Sequence, residues 1–269
     1  MPKPASLAVT WDPRDYAANS AAQLAWAREL IAMLHLRADE HVLDVGCGDG
    51  KITAELARAV PRGSAAGIDV SPQMIRFARK RFPRNKNPNL DFHVMDARRI
   101  RFAQQFDVLF SNAALHWVED HLAFLRGAAA VLKSGGRLIV SCGGKGNAHD
   151  VFLAARPVLR LKRWREFFRR MPRAYFFYAP EAYEKWLPRL GFKALAVRLT
   201  PKDAAYNGRA GFAAWFRTTW MPYTQRVPEA LREKFIATVT ERYVVNHPAD
   251  DSGKVHVRMV RLEIDAVKI

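Results

Sequence analysis

His41-Val42-Leu43-Asp44-Val45 runs directly into Gly46-Cys47-Gly48-Asp49-Gly50, and this junction decides the fold. The first five residues form a short, largely apolar run, as expected of a buried strand. The three glycines permit a turn too sharp for residues that carry a Cβ, and they let a ligand lie directly on the backbone. Residues 51–60 then show helical spacing and stop at Pro61-Arg62-Gly63. A strand that ends in a glycine turn and opens a helix stands at the edge where open α/β sheets bind ligands.

Outward from this junction the alternation repeats. Residues 65–70 read as a second strand carrying Asp69, and Ser71-Pro72 opens a helix to about residue 82, with serine as N-cap and proline at the first helical position. Strands follow at 90–95, 106–111 and 137–142. A helix near 122–132 and a turn at Lys133-Ser134-Gly135-Gly136 precede the last of them. With a helix at 20–36, this predicts an α/β fold with a doubly wound, Rossmann-like, mostly parallel sheet. Residues 1–147 form the expected ligand-binding core. Residues 148–269 are expected to supply an α-helical cap or substrate region and the last strands of the sheet. Helices are predicted there at 148–171, 180–190 and 211–243, the last broken at Met221-Pro222 and Val227-Pro228, and strands at 191–200 and 255–269.

The glycine loop reads G-x-G-x-G rather than G-x-G-x-x-G, and no G-K-[ST] follows it, so neither a dinucleotide fingerprint nor a P-loop is present. Asp69 stands where a carboxylate accepts hydrogen bonds from both hydroxyls of a ribose and repels a phosphorylated one.

Asp44-Val45-Gly46-Cys47-Gly48-Asp49-Gly50 resembles motif I of the class I S-adenosylmethionine-dependent methyltransferases. Asp69 matches their acidic residue after the second strand, and Asp96-Ala97 matches the position that meets the adenine. Phe106-Asp107-Val108-Leu109-Phe110-Ser111-Asn112-Ala113-Ala114-Leu115-His116-Trp117-Val118 resembles their fourth strand and the loop beyond it. The resemblance covers about residues 40–142. It implies S-adenosyl-L-methionine as cofactor, with the methionyl head on the loop of Gly46, Cys47, Gly48 and Gly50. It further implies Asp44 near the amine, Asp69 on the ribose, and Asp96 with the Ala97 backbone on the adenine. Val70, Met74 and Asn112 complete the implied cofactor set.

The whole chain is similar to small-molecule carboxyl methyltransferases, namely the trans-aconitate and juvenile hormone acid methyltransferases. Trp11-Asp12-Pro13-Arg14-Asp15-Tyr16 carries the first likeness and Asn112–Val118 carries both. The resemblance implies Gln23 and Trp117 at the acceptor carboxylate. Both are neutral donors, which orient a carboxylate oxygen without burying it in an ion pair. His116 is the third catalytic candidate, as a base. The expected reaction is in-line methyl transfer to the carboxylate of a small acid. Methylation of carbon or nitrogen in a quinone, lipid or amine, and methylation of nucleic acid, stay open as alternatives.

The formal net charge of +17 over 269 residues attracts anions. Basic residues thicken at 76–101 and at 156–173, where Leu161, Trp164, Phe168 and Met171 form an apolar stripe. Peripheral contact with an anionic membrane is therefore one expectation. Nucleic acid is not the expected partner, because Asn112-Ala113-Ala114-Leu115 stands where an Asn-Pro-Pro-Tyr-type loop would be. The aromatics Trp164, Phe167, Phe168, Tyr175, Phe176, Phe177, Tyr178, Trp215, Phe216, Trp220 and Tyr223 suit either an apolar acceptor pocket or a core of their own. Cys47 and Cys142 make neither a disulfide framework nor a zinc pattern, so no metal is expected. No run of about 18 uninterrupted apolar residues occurs, and Met1-Pro2-Lys3-Pro4 lacks the apolar run of a secretory signal. A cytoplasmic location is expected.

Overall fold

A computed structural model describes residues 10–11 and 21–269, without the side chains of 21–23. The apolar run is strand β1 (His41–Val45). It is paired in parallel on both sides, with β2 (Ser64–Asp69) through Val42↔Ala65 and with β4 (Phe106–Asn112) through Val42↔Val108. With β3 (Leu90–Val94), β5 (Leu132–Gly143), β6 (Phe192–Asn207) and β7 (Lys254–Lys268) it builds a seven-stranded sheet ordered β3-β2-β1-β4-β5-β7-β6. Strands β1 to β5 are parallel, and β7 runs antiparallel to β5 through Val140↔Ile264. The strand order reverses between β1 and β4, which places the glycine loop at the topological switch point.

Two compact units make up the described chain. Of the described residues, the first contains residue 11 and residues 21–145, 175–200 and 261–269; the second contains residue 10 and residues 146–174 and 201–260. In the first, β1 alternates between two apolar layers. Leu43 and Val45 join a cluster with Phe124 and Leu125 of helix α4 (His121–Val131), and Val42 joins one with Ala27, Leu30 and Leu34 of α1 (Ala21–Leu34). Helices α2 (Lys51–Ala59) and α3 (Pro72–Arg81) cover the same face as α1. Ser71 caps α3 as expected, its hydroxyl accepting from the Met74 N–H at 3.3 Å.

Three sequence expectations change. The turn at 133–136 is absorbed into β5, where pairing with β4 slips between Phe106↔Leu132 and Val108↔Arg137. Gly135, at φ +75°, lets the strand carry the irregularity. The helix expected over 148–171 is two pieces, α5 (His149–Arg160) and α6 (Arg165–Phe168). The chain leaves the helix at Leu161 because Trp164 turns inward onto Phe235, with rings 5.5 Å apart, while Leu161 stays exposed. The apolar stripe of that segment therefore does not face one way. Strand β6 also runs on to Asn207, well past the expected end.

After α7 (Pro180–Arg189) and β6 come α8 (Gly208–Thr219), α9 (Met221–Thr224) and α10 (Glu229–Asn246). The prolines at 222 and 228 open the next helix, where a missing N–H costs nothing. The second unit is closed by rings. Phe212 stacks on Tyr243 at 4.4 Å, and Phe216 stacks on Trp220 at 5.2 Å. Among the described residues, no helix is long and apolar enough to cross a membrane, and no group of histidine, cysteine and acidic side chains is placed to hold a metal.

Candidate functional site

The site is built at the ends of β1, β2 and β4. Gly46, Gly48 and Gly50 all take positive φ, at 80°, 54° and 80°. Gly46 is required twice over: its backbone is left-handed, and a Cβ there would lie 2.1 Å from the Cβ of Ala114. That contact brings the loop beyond β4 directly against the glycine loop. Gly50 ends the turn against Phe92 and Ala78 and leads into α2.

The carboxylates behave differently. Asp69, at the end of β2, accepts the Gly48 N–H on Oδ2 at 3.1 Å and the Ser71 N–H on Oδ1 at 2.8 Å. Two backbone donors from opposite sides lock the carboxylate in place, and each oxygen keeps a further lone pair. Burial raises its pKa against the opposing pull of those two N–H groups. Asp44 is buried and accepts from Thr53 Oγ1 at 2.7 Å. Desolvation, offset by that hydroxyl and reinforced by the charge of Asp69, pushes its pKa up to about 7. Thr53 was not singled out in the sequence; only the tertiary contact ties it to Asp44. Asp49 pairs with Lys51 at 3.2 Å and Arg81 at 3.1 Å.

Asp96 caps the short 3-10 turn 97–99 and is gripped by Arg98, whose Nε lies 3.0 Å from both carboxylate oxygens. The arginine holds Asp96 below the usual carboxylate range. Cys47 and Met74 are buried, whereas the Val70 side chain is 63% exposed. Burial and the neighbouring carboxylates of Asp69 and Asp44 drive the Cys47 thiol well up, so it stands as a neutral apolar group.

The loop after β4 carries the remaining candidates. Ala113 takes φ +56°, a conformation that costs a non-glycine residue about 1–2 kcal/mol and is held here by its N–H bond to Ser141 O at 2.8 Å. His116 Nδ1 accepts the Gly143 N–H at 3.3 Å. Burial first, then the charges of Arg261 and His121, push the His116 pKa down to about 3. Trp117 meets Trp11 edge to face at 5.1 Å and Tyr175 at 5.0 Å. Residues 175–178 run along this loop, tied by the bond from Phe176 N to His116 O at 2.9 Å. Tyr175 and Phe177 thus belong beside His116 in the first unit, while Trp164, Trp215, Phe216 and Trp220 close the second. The sequence grouped all of these aromatics together. Gln23 falls in α1, but its side chain lies outside the described residues, as do residues 12–16 of the N-terminal motif.

The family described as methyltransferase domain matches residues 42–136. A trans-aconitate 2-methyltransferase of Rhodopseudomonas palustris (strain BisB5) is 30% identical over 254 residues, covering 90% of this chain and 93% of that protein. An uncharacterized methyltransferase of Schizosaccharomyces pombe is 34% identical over 145 residues, 52% of this chain and 54% of that protein. Among solved structures, magnesium protoporphyrin IX methyltransferase from Synechocystis PCC 6803 with bound SAH superposes with a TM-score of 0.55. The match covers 95% of this chain and 86% of that one, and at 15% identity it is a likeness of fold.

Proposed function

From the premise that this chain belongs to the class I S-adenosylmethionine-dependent methyltransferases, we propose that it methylates the carboxylate of a small acid. S-adenosyl-L-methionine is the cofactor; when bound, it supplies an electrophilic methyl group on a sulfonium. The residues present suit it chemically. Asp69 keeps acceptor capacity for a ribose diol while two N–H groups hold it still. The glycine loop brings bare backbone to the methionyl head. Asp44, poised at about 7, becomes a full carboxylate beside the cationic amine. The Asp96 carboxylate and the Ala97 backbone take the adenine edge. Cys47, Val70, Met74 and Asn112 complete the cofactor set.

The observation that carries the choice of acceptor is the setting of His116: its Nδ1 is already taken by the Gly143 N–H at 3.3 Å, and burial lowers its pKa, so it is a poor base. Amines, phenols and carbon acids need a proton removed before or during transfer, and a base this weak has little driving force for that. A carboxylate is already an anion at neutral pH and needs only alignment and exclusion of water. Gln23 and the Trp117 indole N–H orient the acceptor oxygens, and His116 serves as a neutral ring that donates through Nε2. The trans-aconitate 2-methyltransferase likeness, which spans nearly the whole chain, supports the same acceptor class.

The test has two arms. Calorimetric titration with S-adenosylhomocysteine reads the cofactor site, where Asp69→Ala is expected to weaken binding by about 100-fold through loss of charge-assisted hydrogen bonds. Labelled cofactor offered with a panel of small acids, amines and phenols reads the acceptor. A base-labile methyl product supports the ester reading, and transfer only to base-stable positions overturns it.

A further inference from the structure

Helix α10 has two working faces. Phe235, Ile236, Val239 and Tyr243 are buried in the ring-filled core of the second unit. Lys234, Ala237, Thr238, Glu241, Arg242 and Val245 recur every three or four residues, so they share one stripe on the other side. That stripe and the end of α5, from Pro157 and Val158 to Leu161 and Arg163, wall an open groove of about 810 Å³. The whole groove lies within the second unit. Two of its aliphatic side chains stand well out of the protein, Leu161 at 44% and Val245 at 68% exposure. Exposed Leu153, one turn before Pro157, and exposed Leu231, one turn before Lys234, carry both stripes past the groove.

The polar side chains of the walls are already engaged with one another. Thr238 Oγ1 donates to Lys234 O at 2.7 Å and accepts from Arg163 at 3.4 Å. Asn246 Nδ2 donates to Arg242 O at 2.8 Å, and Glu241 is paired with Arg209 of α8. The cations are not matched in this way. Lys234 and Arg242 in the groove, and Arg160 and Lys162 beside it, are exposed and have no carboxylate partner among the described residues. An occupant that suits these walls has an apolar body, few hydrogen-bonding groups to satisfy and negative charge at its edge. An anionic lipid has that chemistry: its acyl chains bring no polar group into the groove, and its phosphate meets the cations.

We propose that the α5–α10 groove docks the protein on an anionic lipid surface, with Leu161 and Val245 entering the acyl region and Lys234 and Arg242 on the headgroup phosphates. Of the apolar stripe expected from the sequence, Leu161 alone lines this surface, and α10 supplies the other half. The proposal goes beyond the methyl-transfer reading and uses none of the residues of that site.

Full-length protein and its variants, each checked for fold by circular dichroism, are sedimented with vesicles of phosphatidylglycerol or of phosphatidylcholine, without methyl donor. Wild type is expected to bind the first and to leave the second largely free. Lys234→Glu is expected to weaken binding by about fivefold or more, the usual effect of one cation at an anionic surface. Lys193→Glu in β6 makes the same change in net charge outside the groove and is expected to stay within about twofold of wild type. The double variant Leu161→Ser, Val245→Ser leaves the charge unchanged and is expected to lose about tenfold, through apolar contact alone. Equal losses in Lys193→Glu and Lys234→Glu, or unchanged binding in the double serine variant, would reduce the attraction to net charge and overturn the proposal. Wild type that ignores phosphatidylglycerol vesicles overturns it as well and leaves the groove to an acidic protein segment. None of these outcomes bears on methyl transfer, which is read separately by S-adenosylhomocysteine titration.

Discussion

The two compact units use their side chains in opposite ways. In the unit around β1, single residues are irreplaceable for local reasons: a left-handed glycine under Ala114, a carboxylate pinned by two N–H groups, a serine cap. In the helical unit, stability is spread over rings that stack on one another, Phe212 on Tyr243 and Phe216 on Trp220, with Trp164 filling the space beside Phe235. Sharp backbone geometry demands particular residues at particular positions. Apolar packing demands volume and shape, which several residue types meet. A methyltransferase core is therefore conspicuous in sequence, whereas a helical unit of this kind is not.

The contrast is sharpest under mutation. Phe212→Ala in the helical unit is expected to cost about 3–5 kcal/mol of stability, the usual price of emptying a buried aromatic site. Affinity for S-adenosylhomocysteine at low temperature is expected to stay near wild type. Denaturant unfolding beside calorimetry checks this, and a large loss of affinity in the still-folded variant would break the distinction between the units. Gly46→Ala is expected to do the reverse. The left-handed backbone and the overlap with Ala114 together cost about 2–5 kcal/mol. The displaced loop is expected to lose most of its affinity even at temperatures where the protein remains folded.

Acid separates the units more gently. His121 in the first unit is buried neutral, with Nε2–H donating to Leu115 O at 2.8 Å and Tyr183 OH donating to Nδ1 at 2.5 Å. Burial lowers its pKa to about 4, below the unfolded value, so the native state binds fewer protons than the unfolded one. Its contribution is complete above about pH 6.5 and is lost as pH falls through 4. The loss is up to about 3 kcal/mol. His256 in the helical unit has the opposite sign. Asp250 and Asp203, at 2.9 and 2.6 Å, raise its pKa, so its contribution is present at low pH and fades as pH rises through its folded value. The cluster is solvent-exposed, and His256→Ala is expected to barely move the melting temperature at any pH. Melting curves of His121→Gln and His256→Ala between pH 4 and 8 check both; equal acid sensitivity in wild type and His121→Gln would contradict the first.

Legibility followed the same division. Asp44, the three loop glycines, Asp69 and the Ser71-Pro72 cap could be read because each is a local device: a turn, a strand end or a helix start with its own residue requirement. Asp96 was legible as a residue but not in its surroundings, since its grip by Arg98 two residues on is a matter of rotamer. The break at residues 161–164 was not legible. Helical spacing of Leu161, Trp164, Phe168 and Met171 is equally good in one helix or in two, and only the place waiting beside Phe235 sends Trp164 inward.

By itself the sequence determined the parallel α/β core, the glycine loop at its switch point and the cofactor class, because backbone conformation and strand order leave marks on residue type. The tertiary structure alone decided that Thr53 steadies Asp44, that residues 175–178 belong beside His116, and that Arg261, 149 positions beyond Asn112, holds its amide. Such contacts join residues distant in the chain, and a hydrogen bond closed by folding carries no local signature in either partner.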